Sequence, residues 1–241
     1  CAPLLLLLTL AACSPASRGD APEAPAAAMA DTARTPCSMC AEWNVPHPPV
    51  RIYGDTYYVG TEGLSALLVT SPEGHVLLDG ALPESAPLIA ANVAALGFRM
   101  EDVKLILNSH AHFDHAGGIA ALQRLSGAEV AASPASAPVL EAGISGPDDP
   151  QYAELLPIPF PGVHGVRTIS DGDTLRVGPL AFVAHFTPGH TAGGTTWTWT
   201  ACEADRCLNL VYADSMTPVS EDGYRFSQST RYPTILDDFE R

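Results

Sequence analysis

Residues Asn108 to Gly118 read Asn-Ser-His-Ala-His-Phe-Asp-His-Ala-Gly-Gly, which packs His110, His112, Asp114 and His115 into six positions. Imidazole nitrogen and carboxylate oxygen are the borderline-to-hard donors that suit zinc. Alternate residues of an extended chain share a face, so His110 and His112 can turn to one ion while Asp114 and His115 turn away to serve a second. A polar surface loop accounts for a stray histidine. Three histidines around one aspartate, directly after a buried strand, read as a metal site. A further imidazole stands at His190, in Thr187-Pro188-Gly189-His190-Thr191, again just after an apolar strand. With His110 and His112 it gives the three protein ligands of a catalytic zinc, whose fourth position stays open for water. Metal-bound water has its pKa lowered towards 7, so such a site needs no serine nucleophile. The Gly-x-Ser-x-Gly and Ser-x-x-Lys patterns of serine enzymes are indeed absent from the sequence. His185 lies inside a strand-like run and reads as a packed histidine. His47, His75 and His164 lack ligand-like spacing and read as surface residues.

The His-x-His-x-Asp-His pattern resembles the signature of the metallo-β-lactamase superfamily. Ile52-Tyr53-Gly54, the Thr187–Thr191 run and Tyr212-Ala213-Asp214-Ser215 are similar to the class B β-lactamases of the third subclass. The resemblance runs from about Trp43 to the end of the chain. It implies a four-layer αββα sandwich and two zinc ions per full-length domain. The first ion falls to His110, His112 and His190. The second falls to Asp114 and His115 with a later histidine, which no residue up to Arg241 supplies. The implied activity is hydrolysis of the β-lactam amide of penicillins, cephalosporins and carbapenems by a metal-bound hydroxide, conferring antibiotic resistance. Asp114 orients that hydroxide, Ser215 and Thr217 hold the substrate carboxylate, and Asp79 supports the metal loop from behind. Two alternatives stay open at this point. One is another hydrolase of the superfamily, a thioesterase of the glyoxalase-two type or a lactonase, favoured if Asp214 rather than Ser215 faces the metals. The other is an inactive binding fragment.

The metal residues need elements to hold them. Val103–Leu107 is an apolar run that predicts a buried strand ending at the cluster, and Gly118–Leu125 predicts the helix that follows it. Open α/β sheets place chemistry on loops at such carboxyl ends of strands. Val50–Tyr53, Gly54-Asp55 and Thr56–Val59 predict a hairpin. Residues 65–70, 76–78, 129–132, 166–169, 174–177, 180–186, 197–199 and 208–212 predict further strands. Ala86–Leu96 and Ala135–Glu141 predict helices, and Gly143–Gly165 a long loop near the cleft. Periodicity supports an α/β chain with much antiparallel sheet. The layer order, and a last strand and helix lying beyond Arg241, come from the resemblance.

The totals set the compartment and the partners. A formal net charge of −15 argues against nucleic acid or an anionic membrane surface as partner. Residues 1–12 resemble the apolar core of a signal peptide. Leu10-Ala11-Ala12-Cys13 resembles a bacterial lipobox, which predicts a lipidated Cys13; ordinary cleavage after a small-residue site is the alternative. Residues 13–36, rich in Ala, Pro, Ser and Asp, predict a disordered tether, and residues 37–241 the domain. The expectation is therefore an exported, periplasmic monomer, anchored by lipid or free, acting on a small-molecule β-lactam. In an exported chain, cysteines read as disulfide chemistry. Cys202 and Cys207 bracket a turn between two strands and predict a bridged hairpin. Cys37 and Cys40 either pair with each other or with a cysteine elsewhere.

Overall fold

The computed structural model describes residues 35–240, so the leader, Cys13 and nearly all of the tether lie outside the described residues. The chain opens with helix α1 (Cys40–Trp43) and the hairpin β1 (Val50–Tyr53) and β2 (Thr56–Tyr58). Then follow β3 (Leu67–Val69), β4 (His75–Leu78), α2 (Ala86–Ala95), β5 (Val103–Leu107), α3 (Phe113–Ala116), α4 (Ile119–Ser126) and β6 (Glu129–Ala132). Helices α5 (Ser136–Ala142) and α6 (Tyr152–Leu155) lead to β7 (Arg167–Thr168). The last part carries β8 (Thr174–Val177), β9 (Leu180–Phe186), β10 (Thr195–Glu203), β11 (Arg206–Tyr212) and α7 (Ile235–Phe239).

Strands β1 to β7 form one sheet in sequence order, antiparallel as far as β4 and parallel from β4 to β7. Strands β8 to β11 form a second, antiparallel sheet. Period-two alternation divides the first sheet's side chains between two cores. Leu68, Leu77, Ile106 and Val130 point to the helices, where they meet Ile89 and Val93 of α2 and Ile119 and Leu122 of α4. Leu67, Val69, Val76, Leu78, Leu105 and Leu107 point the other way, onto Phe182, Ala184, Trp197 and Trp199 of the second sheet. Burial on both faces is why Val103–Leu107 reads as an apolar run rather than an alternating one. Helix, sheet and sheet are the first three layers of the αββα order. The fold is mixed α/β with two facing sheets.

The elements fall close to the expected positions, with differences in detail. Strand β10 begins two residues earlier and runs four further than Trp197–Trp199, because its whole length pairs with β11 or β9. The loop 143–165 contains the single turn α6. His75 is not a surface residue. It opens β4, lies buried, and stands edge-on to Phe98 with ring centroids 5.0 Å apart; burial lowers its pKa. His185 is not packed in the core. It points outward from β9, where its Nε2 pairs with Thr198 Oγ1 at 2.9 Å.

Cys202 and Cys207 face each other in the β10–β11 register, with sulfurs 2.06 Å apart. Cys37 and Cys40 pair at the start of α1, with sulfurs 1.98 Å apart. Mass spectrometry after alkylation without reductant is expected to find all four of these thiols blocked in the native protein. Two alkylated thiols at Cys202 and Cys207 would contradict the hairpin bridge.

Candidate metal centre

Strands β4 and β5 run parallel, so their carboxyl ends reach the same edge of the sheet. After Leu78 the chain turns sharply through Asp79 at φ 57° and Ala81 at φ 53°. The left-handed region is costly for residues with a Cβ, though Asp tolerates it better than most. Gly80 and Gly118 approach so closely here that a Cβ on Gly118 would lie 2.2 Å from the Gly80 carbonyl oxygen. The turn delivers the Asp79 carboxylate beneath the metal loop, fully buried. Its Oδ1 accepts from Ser109 N at 2.7 Å and Asn108 Nδ2 at 3.2 Å. Its Oδ2 accepts from Ser109 Oγ at 2.6 Å, His115 Nδ1 at 2.9 Å and Tyr212 O–H at 3.0 Å. The second sheet joins the same loop, since Thr195 N donates to Ser109 O at 2.8 Å and Trp197 Nε1 donates to Asn108 O at 3.0 Å.

His110, His112 and His190 meet above this platform, all buried. Their ring centroids lie 4.7, 4.9 and 5.0 Å apart, and one ligand nitrogen from each lies within 4.8 Å of the others. Each ring has its other nitrogen held by an acceptor. His110 Nδ1 donates to Asp214 Oδ1 at 2.7 Å, His112 Nε2 to Asp149 Oδ2 at 2.7 Å, and His190 Nδ1 to the Thr217 carbonyl at 2.9 Å. That leaves Nε2 of His110, Nδ1 of His112 and Nε2 of His190. Acceptor-held imidazoles with the second nitrogen free are the arrangement metal-ligating histidines adopt. His110 Nε2 is buried with no hydrogen-bond partner among the described residues. Burial, then the neighbouring histidines, pushes the His110 pKa well below the ordinary value; burial, then His112, lowers that of His190. Neutral rings are what a metal requires. The donor set therefore fits a divalent ion.

Asp114 and His115 stand beside this group, both partly exposed, with His115 Nε2 3.8 Å from Asp114 Oδ2. Together with His110 they form a second cluster of possible ligand atoms within 4.8 Å. The free nitrogen of His110 cannot serve two ions at once, so Asp114 and His115 are the residues this second cluster has to itself. Burial lowers the His115 pKa, but the hydrogen bond and charge of Asp79, with Asp114 and Asp214, outweigh it and hold the value at about 9.

Ser215 lines a cleft of about 280 Å³ with His190, Phe186, Pro188, Met216 and Phe239. Thr217 is exposed and reaches the group through its carbonyl, which receives His190. Asp214 is buried behind His110, with its backbone N–H on Thr196 Oγ1 at 3.2 Å. Burial pushes its carboxyl well above the usual carboxylate range. Strand β11 ends at Tyr212, so strict alternation does not carry on to Asp214 and Ser215. Asp214 faces inward yet stands on the far nitrogen of His110, while Ser215 faces the cleft. Sequence reasoning missed Asp149, the Asp214–His110 contact and Tyr212 as the partner of Asp79. The one available signal was the long loop 143–165, which was expected near the cleft and does carry Asp149.

The family described as the metallo-beta-lactamase superfamily matches residues 59–202. Among solved structures, the Rm3 metallo-beta-lactamase is 58% identical, with a TM-score of 0.83 over 85% of this chain and 75% of its own. MEM-A1, a subclass B3 metallo-beta-lactamase from a soil metagenome library, is 52% identical, with a TM-score of 0.80 over 82% of this chain and 74% of its own. A probable metallo-hydrolase of Burkholderia pseudomallei is 34% identical over 50% of this chain and 38% of its own length. A hydroxyacylglutathione hydrolase of Maricaulis maris is 34% identical over 36% of this chain and 26% of its own length. The chain thus spans well under half the length of these two curated relatives. The matched segment takes in the Asp79 turn, the metal loop and His190, and the likeness to solved proteins covers most of the chain: this protein belongs to the metallo-beta-lactamase superfamily, alongside its subclass B3 members.

Proposed function

We propose that the full-length protein is a zinc hydrolase that opens the β-lactam ring of penicillins, cephalosporins and carbapenems. The observation that carries this reading is the buried trio His110, His112 and His190, with an unpartnered His110 Nε2, at the edge of a cleft lined by Ser215. His110, His112 and His190 hold the first ion, and Asp114 and His115 contribute to a second. Zinc bound there supplies a Lewis acid and acidifies its water towards pKa 7. Asp114 accepts a hydrogen bond from the attacking water and orients it. The Ser215 and Thr217 hydroxyls donate to the substrate carboxylate. Asp79 fixes the loop on which His110 and His115 stand. The fold neighbours named above are metallo-beta-lactamases at 52–58% identity, which favours a lactam over the thioester or lactone of other superfamily members. Export to the periplasm, lipidation of Cys13 and a monomeric state belong to the same proposal, on the leader, the lipobox and the tether read from the sequence.

The experiment is hydrolysis of a carbapenem, a cephalosporin, a hydroxyacylglutathione thioester and a simple lactone by full-length protein, before and after chelation. Chelator-sensitive opening of the lactams, restored by zinc and much faster than on the thioester, is expected. Preference for the thioester or lactone would replace the reading. Asp114→Asn is expected to retain one zinc and lose turnover by about 10²-fold or more, the usual scale for a positioned proton acceptor. Unchanged turnover with two ions bound would refute the role given to Asp114.

A further inference from the structure

We infer that one short segment, Asp214 to Glu221, positions all three histidines of the metal centre, and that it reaches His112 through a latch on the loop carrying Asp149. The inference rests on the metal reading of the trio, not on the identity of the substrate. Two contacts are direct: the Asp214 carboxylate takes His110 Nδ1, and the Thr217 carbonyl takes His190 Nδ1. The third runs through the loop between α5 and β7. Asp149 is held at both oxygens, with Oδ1 accepting from Gln151 N at 2.8 Å and Oδ2 from His112 Nε2 at 2.7 Å. Directly after it comes α6, a single turn of four residues. A lone turn is too short to be stable by itself, and its leading N–H groups lack partners within the helix.

Glu221 supplies what α6 lacks. Its Oε2 accepts from Ala153 N at 2.6 Å, and its backbone N–H donates to Pro150 O at 2.9 Å. Arg231 holds the other oxygen, Oε1, at 2.6 Å. The residues on either side of Gln151 are thereby tied to the segment after β11, and the Asp149 carboxylate with them. The Glu221 and Arg231 side chains are 17% and 34% exposed, so the pair contributes little to global stability as an ion pair. What it fixes is a direction, that of the carboxylate behind His112. Asp149 and Glu221 are positioning residues, acting through His112.

The test is zinc affinity, read by competition with a chromophoric chelator on the full chain, for the parent, Asp149→Asn, Glu221→Ala and the double variant. Asn keeps the shape of Asp149 but weakens the acceptor that fixes the His112 tautomer. Losing such a partner is expected to weaken zinc binding about 10- to 100-fold. Glu221→Ala is expected to weaken it about three- to tenfold, with metal-free melting unchanged, and the double variant to bind no more weakly than Asp149→Asn, since both act through one ring. The His112 Nε2–H resonance of the zinc-loaded parent should shift in Glu221→Ala. Parent-like affinity in Asp149→Asn or Glu221→Ala, or strictly additive losses in the double variant, would overturn the latch. Failure of the parent itself to bind zinc would remove the metal reading beneath it. Glu221 lies near the surface, so its variant remains informative if Asp149→Asn does not fold.

Discussion

Asp79→Ala is expected to lower the melting temperature of the metal-free protein by about 8–16 °C. The buried carboxylate accepts from Asn108 Nδ2, Ser109 N, Ser109 Oγ, His115 Nδ1 and Tyr212 O–H. Removing it leaves several of those donors buried and unpaired, each costing about 1–3 kcal/mol. A total near 4 kcal/mol is a large share of the roughly 5–15 kcal/mol that holds a domain together, and in a chain of this size it moves the melting point by about 8–16 °C. The φ of 57° adds to the loss, because alanine tolerates that region less well than aspartate. Asp79→Asn should fall between, since an amide offers one acceptor oxygen and turns an N–H towards donors. A calorimetric melt of Asp79→Ala within about 2 °C of the parent would show that the platform under the metal loop is not what holds it.

Replacing His110 should have the larger effect on chemistry. His110 supplies the buried, unpartnered Nε2 at the centre of the trio, 4.7 Å from His112 and 4.9 Å from His190 between ring centroids. Two remaining histidines are one short of the three protein ligands of a catalytic zinc, and the Asp214 carboxylate loses its donor. If bound zinc lowers the barrier by several kcal/mol, its loss corresponds to at least about 10³-fold in turnover. His110→Ala/Asp214→Asn removes the stranded carboxylate and should recover stability without recovering turnover. Metal content by atomic emission and carbapenem turnover, measured on both variants, separate the two contributions. Turnover within tenfold of the parent in His110→Ala would contradict the assignment of His110.

The metal cluster was legible in the sequence because covalent spacing brings it together: His110, His112, Asp114 and His115 share one loop, and Val103–Leu107 announces the strand that presents it. His190 was legible for the same reason, as a loop residue directly after an apolar strand. The residues that orient the rings were not legible. Asp149 is 37 positions from His112, Asp214 is 104 from His110, and Tyr212 is 133 from Asp79. Only the pairing of two sheets and the path of a long loop bring them together, and neither has a local signature. The choice between Asp214 and Ser215 turns on the path of the chain past Tyr212, where the strand ends: Asp214 turns inward to hold His110 from behind, while Ser215 faces the cleft. His75 and His185 show the other limit. Which of two strand faces a lone histidine takes depends on register and on what covers that face, and a single position does not report either.

Whether hydrolysis depends on an ion held by His110, His112 and His190 is tested most directly by titrating zinc into metal-free full-length protein, following bound zinc and carbapenem opening in the same samples, beside His190→Ala. Turnover that rises in step with bound zinc in the parent, and stays near the buffer rate in His190→Ala, is the predicted result. Turnover that ignores bound zinc, or persists at the parent rate without His190, would contradict it.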